Sequence, residues 1–262
     1  MDLQLKGKVA LVAAASKGLG KATALALAQE GAHLAICARS EVLEQTAEHI
    51  RSETGAQVLA VRTDLTVREQ VEALVQQSLD RYGQIDVLIV NCGGPPPGEF
   101  LELTIEDWQM GVQTTIMSAL YLCYAVIPHM VERGSGSIVS TVSYAVKQPL
   151  ERLITSNSLR LAVIGLMKSL ANELGPKGIR VNSINPAWTW TDRIEKLMTD
   201  RAQANKTSVE AEAAKAVAGL PLGRMGTLEE YGKTIAWLAS PAAGFVHGHA
   251  LMFDGGGVSA PI

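Results

Sequence analysis

A chain of 262 residues with 47% apolar side chains can bury a sizeable core, and it suits one large α/β domain better than two small ones. Lys and Arg number 23 against 26 Asp and Glu, a net charge of −3. With no basic block or interleaved aromatic run, nucleic acid is not an expected partner. Cys37, Cys92 and Cys123 are odd in number and widely spaced, neither a disulfide framework nor a metal knuckle, which points to a reducing cytoplasm. The five histidines give no zinc motif, so no metal is expected.

The chain opens on MDLQLKGKVALVAAAS, where lysines, an apolar run and Ala13-Ala14-Ala15 mimic a secretory leader. The glycine-rich turn and helical pattern that follow favour a first buried strand instead. No apolar run reaches the roughly 20 residues needed to span a bilayer, so a soluble, cytoplasmic protein without a membrane partner is expected.

VALVAA at 9–14, HLAIC at 33–37, QVLAV at 57–61, DVLIV at 86–90, SIVSTV at 137–142 and IRVNSI at 179–184 read as strands. They are short and nearly continuously apolar, as fully buried parallel strands are. Helical patterns lie between them, such as Leu19 to Glu30 and Val67 to Tyr82. This alternation predicts a parallel sheet with helices on both faces and no domain boundary within 1–262. GGPPPG at 93–98 reads as a stiff turn directly after the fourth strand. The polar, helix-prone stretch from Thr191 to Met225 is long for a connection, and is either a lid over a site or a pair of surface helices.

After the first strand comes ASKGLG, in which Ser16, Lys17, Gly18, Leu19 and Gly20 hand the strand over to a helix. Glycine there lets the backbone approach a pyrophosphate, whose charge the helix N-terminus favours. With this turn the chain resembles the short-chain dehydrogenase/reductase family, most nearly its 3-oxoacyl-acyl-carrier-protein reductase-like branch, from Lys6 to Gly257. TDLT at 63–66, with Asp64 and Leu65, resembles the family's adenine pocket, and NCGG at 91–94, with Asn91 and Gly93, its fourth-strand motif. RVNSINPAWTWTD, with Pro186, Thr189 and Thr191, resembles the segment that touches the nicotinamide. GRMGTLEEYGKTIAWLAS and FDGGG resemble its C-terminal signature. The resemblance implies a Rossmann-type doubly wound sheet of about seven parallel strands, a nicotinamide dinucleotide, a small carbonyl or alcohol substrate, and homodimers or homotetramers. Two glycines usual in the family are replaced, by Ala14 and by Ala187.

The second strand ends Cys37-Ala38-Arg39, with no acidic residue to bond the ribose hydroxyls of NAD. Arg39 and Lys17 are cations where the family's NADP users place theirs, so NADP(H) is expected ahead of NAD(H), unless both cations are merely solvated.

The family's catalysts are an asparagine, a serine, a tyrosine and, one helical turn later, a lysine. Tyr144 and Lys147 offer themselves as the last pair, but they lie three apart with Pro149 close behind, in the loop leaving the fifth strand. RLAVIGLMKSLANELG at 160–175 matches the family's helix without a gap. That register sets Arg160 at the lysine position, Ser156 at the tyrosine position, Ser143 at the serine and Thr115 at the asparagine. Serine is a far poorer acid than tyrosine, and arginine cannot titrate as an amine, so the family's usual proton relay is missing. Ser143, Ser156 and Arg160 are the candidate catalysts, with Arg160 also able to bridge ribose hydroxyls. Lys147 is a substitute acid or a surface lysine. Trp188 and Trp190 wall a substrate pocket or pack in the core.

Three readings follow. The first is an NADP(H)-dependent reductase or dehydrogenase with a non-standard proton donor. The second is a catalytically silent dinucleotide-binding protein, and the third a lyase or isomerase without net redox change.

Overall fold

A computed structural model of the chain describes residues 1–259. Strands β1 (Val9–Val12), β2 (His33–Ala38), β3 (Val58–Arg62), β4 (Val87–Val90), β5 (Gly136–Thr141), β6 (Ile179–Pro186) and β7 (Ala250–Phe253) form one sheet in the order β3-β2-β1-β4-β5-β6-β7. Every pairing is parallel. The first strand is shorter than the run 9–14, because Ala14 already has a positive φ of 52° and turns the chain toward the helix.

Strand residues alternate faces, and the core divides accordingly. Ala10, Val12, Leu34, Ile36, Val139 and Ile184 meet α1 (Gly18–Gln29), α2 (Val42–Thr54) and α9 (Leu228–Ala239). Leu11, Ala35, Leu88, Ile138 and Val181 meet α3 (Arg68–Tyr82), α5 (Ser118–Arg133) and α6 (Ile154–Leu174). Helices therefore cover both faces, which is why the strands carry no polar alternation.

Between β4 and α5 runs α4 (Ile105–Val112), which begins in a capping box: Thr104 Oγ1 accepts from the Asp107 amide, and the Asp107 carboxylate accepts from the Thr104 amide. A π-turn over Gln113–Met117 joins α4 to α5. The resulting helix, Ile105–Arg133, is long and apolar enough by length and composition to cross a membrane. The expectation that no such run exists is corrected to that extent. In this fold the helix packs against α3 and α6.

The stretch after β6 contains α7 (Asp192–Asn205) and α8 (Val209–Val217), packed about a small core of Met198, Val217 and Met225. Both helices are capped by hydroxyls, Thr191 accepting from the Ile194 amide and Ser208 from the Ala211 amide.

Strand order reverses between β1 and β4, and the carboxyl ends of these strands open on the crevice where α/β sheets bind ligands. A cavity of about 720 Å³ lies at the opposite end, lined by strand starts such as Val87, Gly136 and Ile179.

Candidate active site

At the switch point the β1–α1 turn passes very close to the helix it feeds. A methyl on Gly20 would lie 2.8 Å from the Ala14 carbonyl carbon and 3.0 Å from the Ala15 Cα, so only glycine fits there. Gly18 has a φ of 54°, and its Cβ position would lie 3.8 Å from Thr191 Cγ2, which brings the start of α7 over the turn. Beside the turn is a cleft of about 380 Å³ bordered by Ala14, Ser16, Ala38, Arg39, Asp64, Leu65, Cys92 and Gly93. The glycine cradle, the N-terminus of α1 and this cleft fit the pyrophosphate and adenosine of a dinucleotide.

Asp64 is the ordered acid of the cleft. Burial works against its charge, but the Thr66 amide at 3.0 Å and hydroxyl at 2.7 Å, with Arg39 nearby, hold its carboxyl below the usual range. Arg39 is largely exposed, with a terminal nitrogen 3.9 Å from an Asp64 oxygen, and stands free to meet a phosphate at the cleft's edge. Lys17 is exposed at the head of α1 and borders the neighbouring groove between α1, α2 and α9 rather than this cleft. Leu19 turns into the core against α1's own face.

The second cluster sits at the carboxyl ends of β4, β5 and β6. Residues 156 and 160 lie one turn apart on α6, and Arg160 donates from Nε to Ser156 Oγ at 3.1 Å. A terminal nitrogen of Arg160 donates to the Val142 carbonyl at 2.9 Å, which brings the guanidinium beside Ser143. Ser143 Oγ accepts from the Ala145 amide at 3.1 Å, so its own proton stays available to another acceptor. Burial lowers the Arg160 pKa; the nearby Cys92 thiol opposes this, and the Arg193 guanidinium lowers it again. The group remains a cation at neutral pH.

A small cavity joins Asn91, Cys92, Thr115, Ser140, Val142 and Arg160. Thr115 is buried in the π-turn and its Oγ1 has no partner among the described residues. Asn91 Nδ2 donates to the Ala13 carbonyl at 3.4 Å, tying β4 to the glycine turn. Pro186 ends β6, Thr189 is buried with its hydroxyl on the Ala187 carbonyl at 3.4 Å, and Thr191 caps α7.

The family model described as enoyl-(acyl carrier protein) reductase matches residues 13–257. The chain belongs to the short-chain dehydrogenase/reductase family. It is 30% identical to the 3-oxoacyl-[acyl-carrier-protein] reductase of Chlamydia pneumoniae over 256 residues, 98% of this chain and 99% of that one. Among solved structures, the L-sorbose reductase of Gluconobacter frateurii complexed with NADPH and L-sorbose superposes with a TM-score of 0.96 at 30% identity. The match covers 99% of this chain and all of that one. A variant of actinorhodin polyketide ketoreductase with NADPH gives 0.90 at 32% identity, over 97% and 98% of the two chains. Seven parallel strands in one sheet match these short-chain reductases, and the resemblance to the 3-oxoacyl reductase-like branch stands.

Several expectations about the site change. The segment after Ser143 is not plain loop: Tyr144–Val146 make one 3-10 turn, too short to extend into α6. Burial raises the Tyr144 pKa above its ordinary value, making it a weaker acid. Lys147 follows that turn, its amide donating to the Tyr144 carbonyl at 3.0 Å, while its ammonium is exposed and makes no hydrogen bond or ion pair among the described residues. Trp188 packs on the core of the α7–α8 unit with Arg201 over its ring at 5.9 Å, whereas Trp190 is 37% exposed. Cys92 and Arg193 were not legible as site residues. NCGG names a motif without saying where its thiol points, and Arg193 looks like any polar residue of a surface helix.

Proposed function

We propose that this protein is an NADP(H)-dependent reductase or dehydrogenase acting on a small carbonyl or alcohol through Ser143, Arg160 and Ser156. The single observation that carries this is the Ser156–Arg160 pair, anchored on the Val142 carbonyl next to Ser143, in a small cavity that shares Cys92 with the cleft that fits a dinucleotide. NADP(H), when bound, supplies or accepts the hydride. Ser143 donates a hydrogen bond to the carbonyl oxygen, keeping its proton, and fixes its direction. Arg160 turns its remaining N–H groups toward the same oxygen and the ribose hydroxyls, stabilising negative charge as it develops. Ser156 is a positioning residue that holds the guanidinium in place. An aliphatic alkoxide is basic enough to take its proton from water, so no phenol is required at position 156.

NADP(H) is favoured over NAD(H) because Arg39, directly after β2, stands where an acid would bond the ribose hydroxyls of NAD, and because the sorbose reductase and the polyketide ketoreductase carry NADPH. Three free cysteines suit a cytoplasmic protein, and the exposed Tyr124 and Leu161 on α5 and α6 suit a homodimer or homotetramer. The α7–α8 unit covers the turn at Gly18 and is assigned as the substrate lid.

The test is calorimetric titration with NADPH and NADH, followed by NADPH oxidation across a carbonyl panel. Preferential NADPH binding and carbonyl-dependent oxidation are expected. NADPH binding without oxidation by any carbonyl would replace this function with a silent binding protein, the reading favoured by the missing acid at Ser156. Substrate loss at constant NADPH would indicate a lyase or isomerase.

A further inference from the structure

Two guanidiniums border the short turn Asn91–Gly94 at the end of β4. Arg160 lies beside Cys92, and a terminal nitrogen of Arg193 lies 3.4 Å from where a Cβ on Gly94 would stand. Among the described residues neither has an Asp or Glu oxygen within 4.0 Å, although thirteen other ion pairs form on this chain. Asp192, next to Arg193 in sequence, borders the groove on the other side with Lys17 and Gly18.

Arg193 is also poorly placed for stability. It is the second residue of α7, where the helix dipole disfavours a cation, and it makes no hydrogen bond among the described residues that would offset this. Arg193 is exposed, and its charge lowers the Arg160 pKa, so the two cations repel one another. An anion between them removes that repulsion and gains the N-terminus of α7 as well.

We infer that Arg193, with Arg160, seats a carboxylate carried by the substrate, so that the protein acts on oxo acids in preference to neutral ketones. This rests on the reductase reading above. A planar guanidinium takes a carboxylate through two parallel hydrogen bonds; the Arg193 guanidinium makes none among the described residues, while Arg160, bonded to Ser156 and Val142, adds its charge. The cofactor's pyrophosphate is the other anion in reach. It belongs over the glycine turn and the head of α1, whereas Arg193 lies over Gly94, in the GGPPPG loop that follows β4.

The experiment measures equilibrium binding to the full chain saturated with NADP+, which has no hydride to give a ketone, using acetoacetate and its neutral counterpart methyl acetoacetate, in the wild type, R193M and R193K. The expected result is wild-type preference for acetoacetate by about tenfold or more, lost in R193M and partly kept in R193K. NADPH affinity should be unchanged in both variants. Equal binding of acid and ester by the wild type overturns the inference. So does an R193M variant that loses NADPH affinity while keeping acetoacetate, which would place Arg193 on the pyrophosphate. Binding needs no turnover, so the two proposals fail separately. An acid preference without NADPH oxidation refutes the reductase and leaves the carboxylate seat, while oxidation of neutral ketones without an acid preference does the reverse.

Discussion

Arg160 donates from Nε to Ser156 Oγ across one turn of α6, so the two residues at the family's lysine and tyrosine positions are bonded to each other. In the usual pair the cation tunes a phenol that works on the substrate. Here the hydroxyl serves the cation. The Val142 carbonyl takes a second N–H, and the guanidinium is thereby fixed in two directions beside Ser143.

If charge stabilisation at the substrate oxygen comes from Arg160, R160M should lower kcat/KM by about 10²–10³, the loss seen when an oxyanion donor is removed. R160K keeps a charge but cannot hold both Ser156 and Val142 as the planar fork does, and should fall in between. S156A removes only the anchor and should cost no more than about tenfold. Steady-state kinetics of the three variants check this order; an S156A loss as large as that of R160M would make the hydroxyl the catalyst.

Arg39 meets Asp64 only at 3.9 Å and is largely exposed, so a bound phosphate can recruit it without breaking a tight ion pair. Losing a charge-assisted contact should weaken NADPH binding in R39A by about ten- to a hundredfold. NADH affinity should stay the same. Titration calorimetry with both nucleotides reads the difference.

The sheet, its helices and the glycine turn were legible because buried parallel strands and amphipathic helices leave unmistakable periods in sequence. The register of α6 came from its resemblance to the family's helix, and four-residue spacing on that helix sets Arg160 and Ser156 on one face. What was not legible depends on direction in space. Nothing in NCGG says that Cys92 lies beside Arg160, nor in TWTDRIEK that Arg193 reaches back over Gly94. Trp188 could not be divided between pocket and core until α7 and α8 were seen to build a core of their own. The apolar length of Ile105–Arg133 was missed because its polar residues interrupt each short run, while the π-turn keeps the helix continuous.

Ala14 takes a left-handed conformation, φ 52°, at the position where the family usually has glycine. The Cβ strain of about 1–2 kcal/mol is only partly offset by alanine's smaller unfolded-state entropy, so A14G should stabilise the fold by ~0.5–1 kcal/mol. A melting point higher by about 1–4 °C is the expected reading. A lower one would mean that the methyl makes packing contacts worth more than the strain.

Glu212 on α8 is buried, and bonds from Lys215 Nζ at 2.7 Å and the Thr207 hydroxyl at 2.6 Å bring its pKa down to about 2. A lowered folded-state pKa stabilises above the ordinary glutamate value of 4.5, and the contribution fades as pH falls toward 2. The α7–α8 unit should therefore loosen across that window. In E212Q the dependence should flatten, and limited proteolysis of the segment at pH 3 and pH 6 would show it. An unchanged pH dependence in E212Q would assign the acid sensitivity elsewhere.

The most direct single measurement is carbonyl-dependent NADPH oxidation, wild type against S143A, each at saturating NADPH. In the proposed mechanism Ser143 offers its hydroxyl to the substrate oxygen, while the cofactor cleft is lined by other residues. The wild type should turn over, and S143A should lose about 10²-fold or more in kcat/KM with NADPH affinity intact. A wild type that binds NADPH and oxidises it with no carbonyl, or an S143A variant as active as the wild type, would contradict a reductase built on Ser143 and Arg160.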